Sequence, residues 1–456
     1  MTQKQIRLNS FQMCAPVHNW AGLWRLPGDE AVNYNQLSYW TRMAETAERG
    51  LLDAIFIADV FGVYDVYGGS PEAALRAGAQ TPDLDPVIPV SAMAQVTKHL
   101  GFGITANLSY EHPYQFARRF STLDHLTGGR IGWNIVTGYL QSGARGMGRE
   151  AQTEHDARYD VAEDFMAACY KLWEHSWEDG AAVRDRARGV FTDLARVRRV
   201  THEGPHFRVD GVHLCEPSPQ RTPVLFQAGS SERGLAFAAR HAECVFINGP
   251  TMEAAARTVK KLRALAVGAG RAPEDLVIFL AANLIIAPTR AEADELHAEY
   301  ARHLDAAGQL ALVSGWTGID LSQLSPDDVV PFARSNAIRS TLENMTVKAP
   351  KPARVRDLVA LTAVGARAPF ITGTPAEAAD ALLEWADVTG VDGFNCARLS
   401  VPATLNSIVD LLVPELQSRG RYKIAYAEGT LREKLNGGAG PRLAPTHPGR
   451  RASFDG

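Results

Sequence analysis

Short apolar runs alternate with segments of helical hydrophobic period along almost the whole chain, and this alternation restricts the fold more than any single motif. Residues 6–13 precede a helix-period segment over 36–49, where Leu37, Trp40, Met43, Ala44 and Ala47 share one stripe. The unit repeats as 54–58 with 88–99, 100–106 with 113–126, and 131–137 with 155–173. It resumes as 223–227 with 232–241, 243–247 with 252–267, 276–286 with 290–304, and 393–397 with 402–419. Eight strands, each followed by a helix, predict an α/β chain folded as a (β/α)8 TIM barrel with insertions. An open doubly wound sheet is the alternative, because alternation does not show closure.

The barrel is expected to span residues 1–435 as one domain, interrupted twice. Residues 177–221 are polar and rich in Arg and His, with Asp210-Gly211 expected as the turn of a hairpin joining 206–209 to 212–215. Residues 305–369 hold Trp316-Thr317-Gly318 and a helical patch near 333–345. Excursions of this length commonly build lids or subunit contacts. The tail 436–456, with Gly437, Gly438, Gly440, Pro441, Pro445 and Pro448, is expected to be flexible unless it packs on a partner.

Among 456 residues the formal net charge is only −4, which argues against nucleic acid as a partner. No run approaches the roughly 20 apolar residues of a membrane span, and none resembles a signal peptide. Five cysteines, Cys14, Cys169, Cys215, Cys244 and Cys396, form no Cys-x-x-Cys pair. Reduced thiols and a cytoplasmic location are expected.

Polar residues stand at the ends of several strands, where parallel barrels hold ligands. Asn134 and Thr137 end the run 129–138, and Asp59, Thr105 and Ala228-Gly229-Ser230-Ser231 occupy matching places. Conventional catalytic signatures fail. Gly229-Ser230-Ser231-Glu232-Arg233-Gly234 has Arg233 where a nucleophile elbow needs glycine, and Gly143 to Gly148 has neither dinucleotide nor Walker spacing. His202, His206 and His213 lack the spacing of a metal site, so no metal is expected. Asp59 with Asp65 or Glu111 is a distant candidate for a glycosidase carboxylate pair.

The junction 227–234 joins a strand to a helix through two hydroxyl residues, which suits a phosphate or equally an N-cap. His155 and Tyr159 lie four apart at a helix start and point the same way. They could bind a phosphate or pack into the core.

These segments together resemble the flavin-dependent monooxygenases of the bacterial luciferase-like superfamily, in the group with nitrilotriacetate monooxygenase, pristinamycin IIA synthase and dibenzothiophene sulfone monooxygenase. The resemblance runs through Ala47 to Gly50, Phe56 to Asp59, Thr122 to Arg130, Trp133 to Thr137, His155 to Tyr159, Gln227 to Gly234 and Asp392 to Asn395. Segments 57–67, 213–223 and 314–320 match the members of this group that oxidise dimethyl sulfide. Gly138 and Gly146-Met147-Gly148 depart from the group's pattern.

The resemblance implies FMN held by Asp59, Thr105, Asn134, Thr137, His155, Tyr159, Gly229, Ser230 and Ser231, the two serines near its phosphate. It implies reduced FMN from a separate NAD(P)H-dependent flavin reductase, O2 as oxidant, and a homodimer or homotetramer. Its expected reaction is oxidation of a small organosulfur compound, dimethyl sulfide to methanethiol plus formaldehyde. Alternatives are an aminopolycarboxylate or a sulfone heterocycle as substrate, a deazaflavin hydride-transfer enzyme, and a flavin-binding protein without turnover. His18, His112 and Trp316 are the expected catalytic residues, with Trp20, Phe61 and Tyr64 completing the expected pocket. An aminopolycarboxylate site would need several converging cations, for which Arg25, Arg118 and Arg130 are candidates.

Overall fold

The computed structural model describes residues 4–229, 231–331, 353–363 and 368–451. The expected helical patch near 333–345 and Ser230 lie outside them. The strands are β1 (Arg7–Met13), β2 (Ala54–Ala58), β3 (Gly101–Asn107), β4 (Ile131–Val136), β5 (Val200–Glu203), β6 (Arg208–Gly211), β7 (Val224–Gln227), β8 (Cys244–Ile247), β9 (Val277–Ile286), β10 (Phe370–Gly373) and β11 (Gly393–Ala397).

Eight of these strands pair in parallel as a ring in the order β1-β2-β3-β4-β7-β8-β9-β11, and β11 returns to β1. The closed barrel therefore replaces the open-sheet alternative. Strand β9 is long enough to pair with β8 and β11 through its first half and to carry β10 on residues 283–286. That short extra strand had no separate signal in the hydrophobic pattern.

The barrel interior is filled by aromatic rings from β1, β2, β7, β8 and β9. Phe11, Phe56, Phe226, Phe246 and Phe279 form one buried cluster in which Phe56 meets Phe11, Phe226 and Phe246 edge-on at 5.6–5.7 Å. Glycines on the strands between them make the room. A Cβ on Gly132 would stand 2.6 Å from the Phe226 ring, and one on Gly103 would stand 2.9 Å from Phe56. The rings flanking β3 and β4 thus close over the two glycines and fill the narrow interior.

Two corrections concern the excursions. The hairpin in 177–221 pairs β5 with β6, so Asp210 and Gly211 lie within a strand and the turn falls at 204–207. The buried Asp164 carboxylate sets that register, accepting from the His206 and Phe207 amides and contacting His202 Nε2 at 2.8 Å. Residues 436–451, expected to be flexible, pack on the barrel's N-terminal face. Leu443 and His447 are buried, His447 Nε2 lies 2.8 Å from the His241 carbonyl, and Arg442 pairs with Asp179. Glycine and proline shape this segment, but its few apolar and charged side chains anchor it.

Arg432 holds the same face together. Its buried guanidinium meets both oxygens of Glu243 at 2.6 and 2.9 Å and donates to the carbonyls of Gln220, Thr222, Pro223 and Pro441. Burial alone would raise the Glu243 carboxyl, but the Arg432 charge and its hydrogen bonds hold it below the ordinary value. This stabilisation is complete above the unfolded carboxyl pKa of roughly 4.3 and is lost as pH falls through the lower folded value.

Two outcomes follow. Gly132→Ala should destabilise the barrel by about 1–3 kcal/mol through overpacking, and Phe226→Leu in the same chain should recover part of that loss. Equilibrium denaturation of both single variants and the double variant measures the coupling. Arg432→Met should cost about 3–5 kcal/mol by leaving Glu243 buried and unpaired. It should also make residues 436–451 sensitive to limited proteolysis, read by mass spectrometry of the fragments.

Candidate functional site

The C-terminal ends of the strands open into a cavity of about 260 Å³, lined at its floor by Phe11, Phe56 and Phe246 of the barrel core. Thr105 of β3 and Asn134 of β4 are register partners, and Asn134 Nδ2 donates to Thr105 Oγ1 at 2.8 Å. Asn134 Oδ1 and, on β7, Gln227 Oε1 are buried without a hydrogen-bond donor. Leaving such acceptors unsatisfied costs about 1–3 kcal/mol each. Both side chains line the cavity, so this wall suits a ligand that carries N–H or O–H donors.

One side of the cavity is built for an anion. The helix Glu232–His241 starts there with Ser231 as N-cap, whose Oγ accepts from the Gly234 amide at 3.0 Å. The Tyr159 ring comes from the helix His155–Tyr170, and its hydroxyl fits between Gly229 and Gly234. A Cβ on either glycine would come within 2.7 Å of that oxygen. Burial raises the Tyr159 phenol above its ordinary value against a lowering hydrogen bond from Ser231, so it stays neutral. Arg158 and His155 complete this side, and the Arg158 guanidinium also donates to the Gly138 carbonyl. A guanidinium, a serine hydroxyl and a helix N-terminus around one point suit a phosphate. Cap and phosphate site are therefore compatible at Ser231 rather than alternatives.

The opposite side is aromatic. Tyr64 donates to Gln80 Oε1 at 2.7 Å, accepts from Trp316 Nε1 at 3.2 Å, and lies 2.6 Å from the Tyr139 hydroxyl. Gln80 in turn donates to the His18 carbonyl, and the His18 ring stands edge-on to Phe11 at 4.3 Å. Trp316 arrives on the helix Ala306–Thr317 of the second insertion. Gly315 in that helix lets Tyr64 approach to where a Cβ would be 2.0 Å from its ring. Phe61 stands half-exposed at the rim.

Asp59 also lines the cavity, and its neighbour behind the wall is Asp83. Burial raises both carboxyls, Asp83 further than Asp59 because the Asp59 charge adds to it.

Of the residues expected from sequence, Asp59, Thr105, Asn134, Thr137, His155, Tyr159, Gly229 and Ser231 all line this cavity, together with His18, Phe61, Tyr64 and Trp316. Two do not. His112 accepts from the Tyr114 amide as N-cap of the helix Pro113–Leu126 and lines a separate groove with Glu111, Arg149 and His206. Trp20 packs on His297, Tyr300 and Phe370 away from the cavity.

The distant carboxylate pairing also fails, since Asp65 pairs with Arg145 and Glu111 with Arg119. His202 serves the Asp164 clamp and His213 lies 3.0 Å from Ser121 Oγ, with burial pushing the latter imidazole down to about 4. Arg158, Gln227, Gln80, Tyr139 and Asp83 were missed. Arg158 was legible, because it shares a helix face with His155 three residues earlier.

Comparison with known proteins extends over the whole barrel. Residues 11–392 match the luciferase-like monooxygenase family model. The chain is 46% identical over 447 residues to dimethyl-sulfide monooxygenase of Hyphomicrobium sulfonivorans, covering 98% of this chain and 93% of that one. It is 43% identical over 444 residues to long-chain alkane monooxygenase of Geobacillus thermodenitrificans, covering 97% of each. A crystal structure of long-chain alkane monooxygenase superposes with a TM-score of 0.92 at 42% identity, over 99% of this chain and 100% of that one. A structure of riboflavin lyase with modified FMN and riboflavin superposes equally well, with a TM-score of 0.92 at 37% identity, over 98% of this chain and 99% of that one. The sequence motifs, the closed barrel and these likenesses agree: the chain belongs to the luciferase-like monooxygenase family.

Proposed function

We propose that this monooxygenase is the oxygenase of a two-component system in the cytoplasm, and that it oxidises a small organosulfur compound with reduced FMN from a separate NAD(P)H-dependent reductase. The preferred substrate is dimethyl sulfide, and the reaction balances as dimethyl sulfide + O2 + FMNH2 giving methanethiol + formaldehyde + H2O + FMN. Bound reduced flavin supplies the redox chemistry and activates oxygen.

The chain's own residues would hold and shield that group. Arg158, Ser231, Tyr159, His155 and Gly229 would take the phosphate, while Asn134, Thr105, Thr137, Gln227 and Asp59 would meet the polar edge of the ring. The Trp316-bearing helix would cover the ring and exclude water, which strengthens every polar contact inside.

One observation carries the substrate reading: Arg158 is the only Lys or Arg lining the cavity among the described residues, and it stands at the phosphate side. The remaining space faces Phe61, Tyr64 and Trp316. A carboxylate-rich substrate would find no second cation there. Arg25 donates to the Gly22 and His303 carbonyls and Arg118 is exposed. Arg130 is buried with its donors spent on Ala94, Thr97, Leu100 and Thr127. A small apolar sulfide needs only volume and polarizable contact. Assembly as a homodimer or homotetramer is supported by Phe191 and Leu194, which stand 64% and 81% exposed on the first excursion.

Three measurements test these assignments. Arg158→Met and Ser231→Ala should each weaken FMN by about 1.5–3 kcal/mol, tenfold or more, while riboflavin changes little. Anaerobic titration of oxidised and reduced flavin reads both ligands and should show tighter binding of the reduced form; parallel loss of FMN and riboflavin would make Ser231 a cap alone.

With a flavin reductase, NADH and FMN present, dimethyl sulfide should drive oxygen uptake matched by methanethiol and formaldehyde. Trp316→Ala should shift preference toward longer sulfides. Oxidation of alkanes, amines or ring sulfones without sulfides would overturn the substrate, and flavin binding without oxygen uptake would leave only a carrier. Light scattering should find an oligomer that Phe191→Asp with Leu194→Asp dissociates.

A further inference from the structure

Asp83 lies on the aperiodic stretch between residues 78 and 89, which contributes no strand to the barrel. Both its carboxyl oxygens are buried without a hydrogen-bond donor. The Leu84 amide donates to the Cys14 carbonyl, and its lowering effect on the Asp83 carboxyl is smaller than the raising effects of burial and of Asp59. The polar group facing Asp83 is the Asp59 carboxyl, and Asp59 opens on its other side into the cavity. Two buried carboxyls in contact cannot both ionise without severe repulsion, whereas one proton between them turns the contact into a strong hydrogen bond.

The surrounding groups leave that proton in place. Arg398 is the cation that acts on Asp83, but its donors go to the Met13 and Ala15 carbonyls and the Tyr39 hydroxyl. Asp85 adds further negative charge toward Asp59. Cys14, whose thiol is pushed far up by burial and by the neighbouring carboxylates, contributes no charge, and the Tyr34 and Tyr39 phenols are likewise raised by burial. The arrangement has the form of an acid dyad with one member facing the reaction space and one buried behind it.

We propose that Asp59 and Asp83 hold one proton between them and form the acid of the oxygenation site, delivering that proton through Asp59 to the oxygen atom that leaves as water. The inference rests on the proposed flavin-dependent oxygenation. With reduced flavin bound as its monoanion, the balance is FMNH− + H+ + O2 + dimethyl sulfide giving FMN + H2O + methanethiol + formaldehyde. Oxygen takes two electrons from the flavin and two from the carbon next to sulfur. The dyad supplies the one proton that neither donates, and Asp59 recovers it from solvent after release of products. Asp59 is the catalytic residue of the pair and Asp83 its positioning residue, which keeps the proton available at neutral pH.

The first test uses the flavin-free full-length protein and needs no variant. Infrared spectra with carbon-13-labelled aspartate should show a protonated carboxyl band at neutral pH that disappears as pH is raised into the alkaline range. Asp83→Asn, which preserves volume and can donate its amide to Asp59, should abolish the band. Absence of the band in the unmodified protein, or its persistence in Asp83→Asn, overturns the shared proton.

The second test measures product formed per reduced flavin, with hydrogen peroxide as the uncoupled product. Coupling in the unmodified enzyme should fall as pH rises through the loss of the band. In Asp83→Asn it should be about tenfold lower and flat with pH, while FMN affinity stays within about threefold. Unchanged coupling and pH profile in that variant overturn the acid role. A titrating band in an enzyme that oxidises no sulfide overturns the substrate reading and leaves proton sharing standing.

Discussion

Closing eight strands into a ring narrow enough to be filled by side chains is the constraint from which the site follows. Phe11, Phe56, Phe226, Phe246 and Phe279 occupy the interior, and Gly103 and Gly132 on the intervening strands β3 and β4 yield to them. Polar side chains inside the barrel are either paired, as where Asn9 Nδ2 donates to Asn395 Oδ1 at 2.8 Å, or stand near the open end, where a ligand can satisfy them. Asn134 and Gln227 sit there with acceptors unmet. The opposite end is closed by Arg432, Glu243 and the packed C-terminal segment, so the solvent-facing mouth and the ligand site coincide.

The two sides of the cavity obey different physics. On the Ser231 side the tolerances are those of backbone and hydroxyl contact, and a single methyl group at Gly229 or Gly234 would displace Tyr159 from its place against Ser231. On the aromatic side the wall comes from an inserted helix whose small residues let it settle closely: Gly308 meets Ala77 and Gly315 meets Tyr64. Under the proposed function, rigid recognition of a cofactor and adjustable recognition of a substrate would thereby be carried by separate elements.

The sequence revealed most where a physical period or a local spacing constrained it. The barrel strands, the polar tips at Asp59, Thr105 and Asn134, and the helix starts at His155 and Ser231 all carried such a pattern. Residue type alone misled at His112 and Trp20, because a side chain's chemistry does not tell its direction. His112 precedes Pro113 and is consumed as a cap, and Trp20 turns onto the helix Arg290–Arg302. Asp210-Gly211 resembles a hairpin turn, yet a buried carboxylate distant in sequence chooses another register. Gln80 and Asp83 come from a stretch without period, and their partners His18, Tyr64 and Asp59 are separated from them by up to 62 residues, so nothing local announced them.

The separation of elements also bears on how one barrel serves different substrates. The relatives named for dimethyl sulfide and for long-chain alkanes stand at 46% and 43% identity to this chain, so overall likeness hardly discriminates between them. Under the proposed function, discrimination would come from the volume left between the strand-end wall and the Trp316 helix. There a change of one large side chain alters the cavity while leaving the Arg158 and Ser231 side, the phenylalanine core and the closed ring intact. Trp316 is tied to the Tyr64, Gln80 and Tyr139 hydrogen bonds, so a substitution there changes polarity as well as volume. A wall held by such bonds resists gradual widening, and a chain of this design should change substrate size in steps set by whole side chains rather than by small adjustments of the backbone.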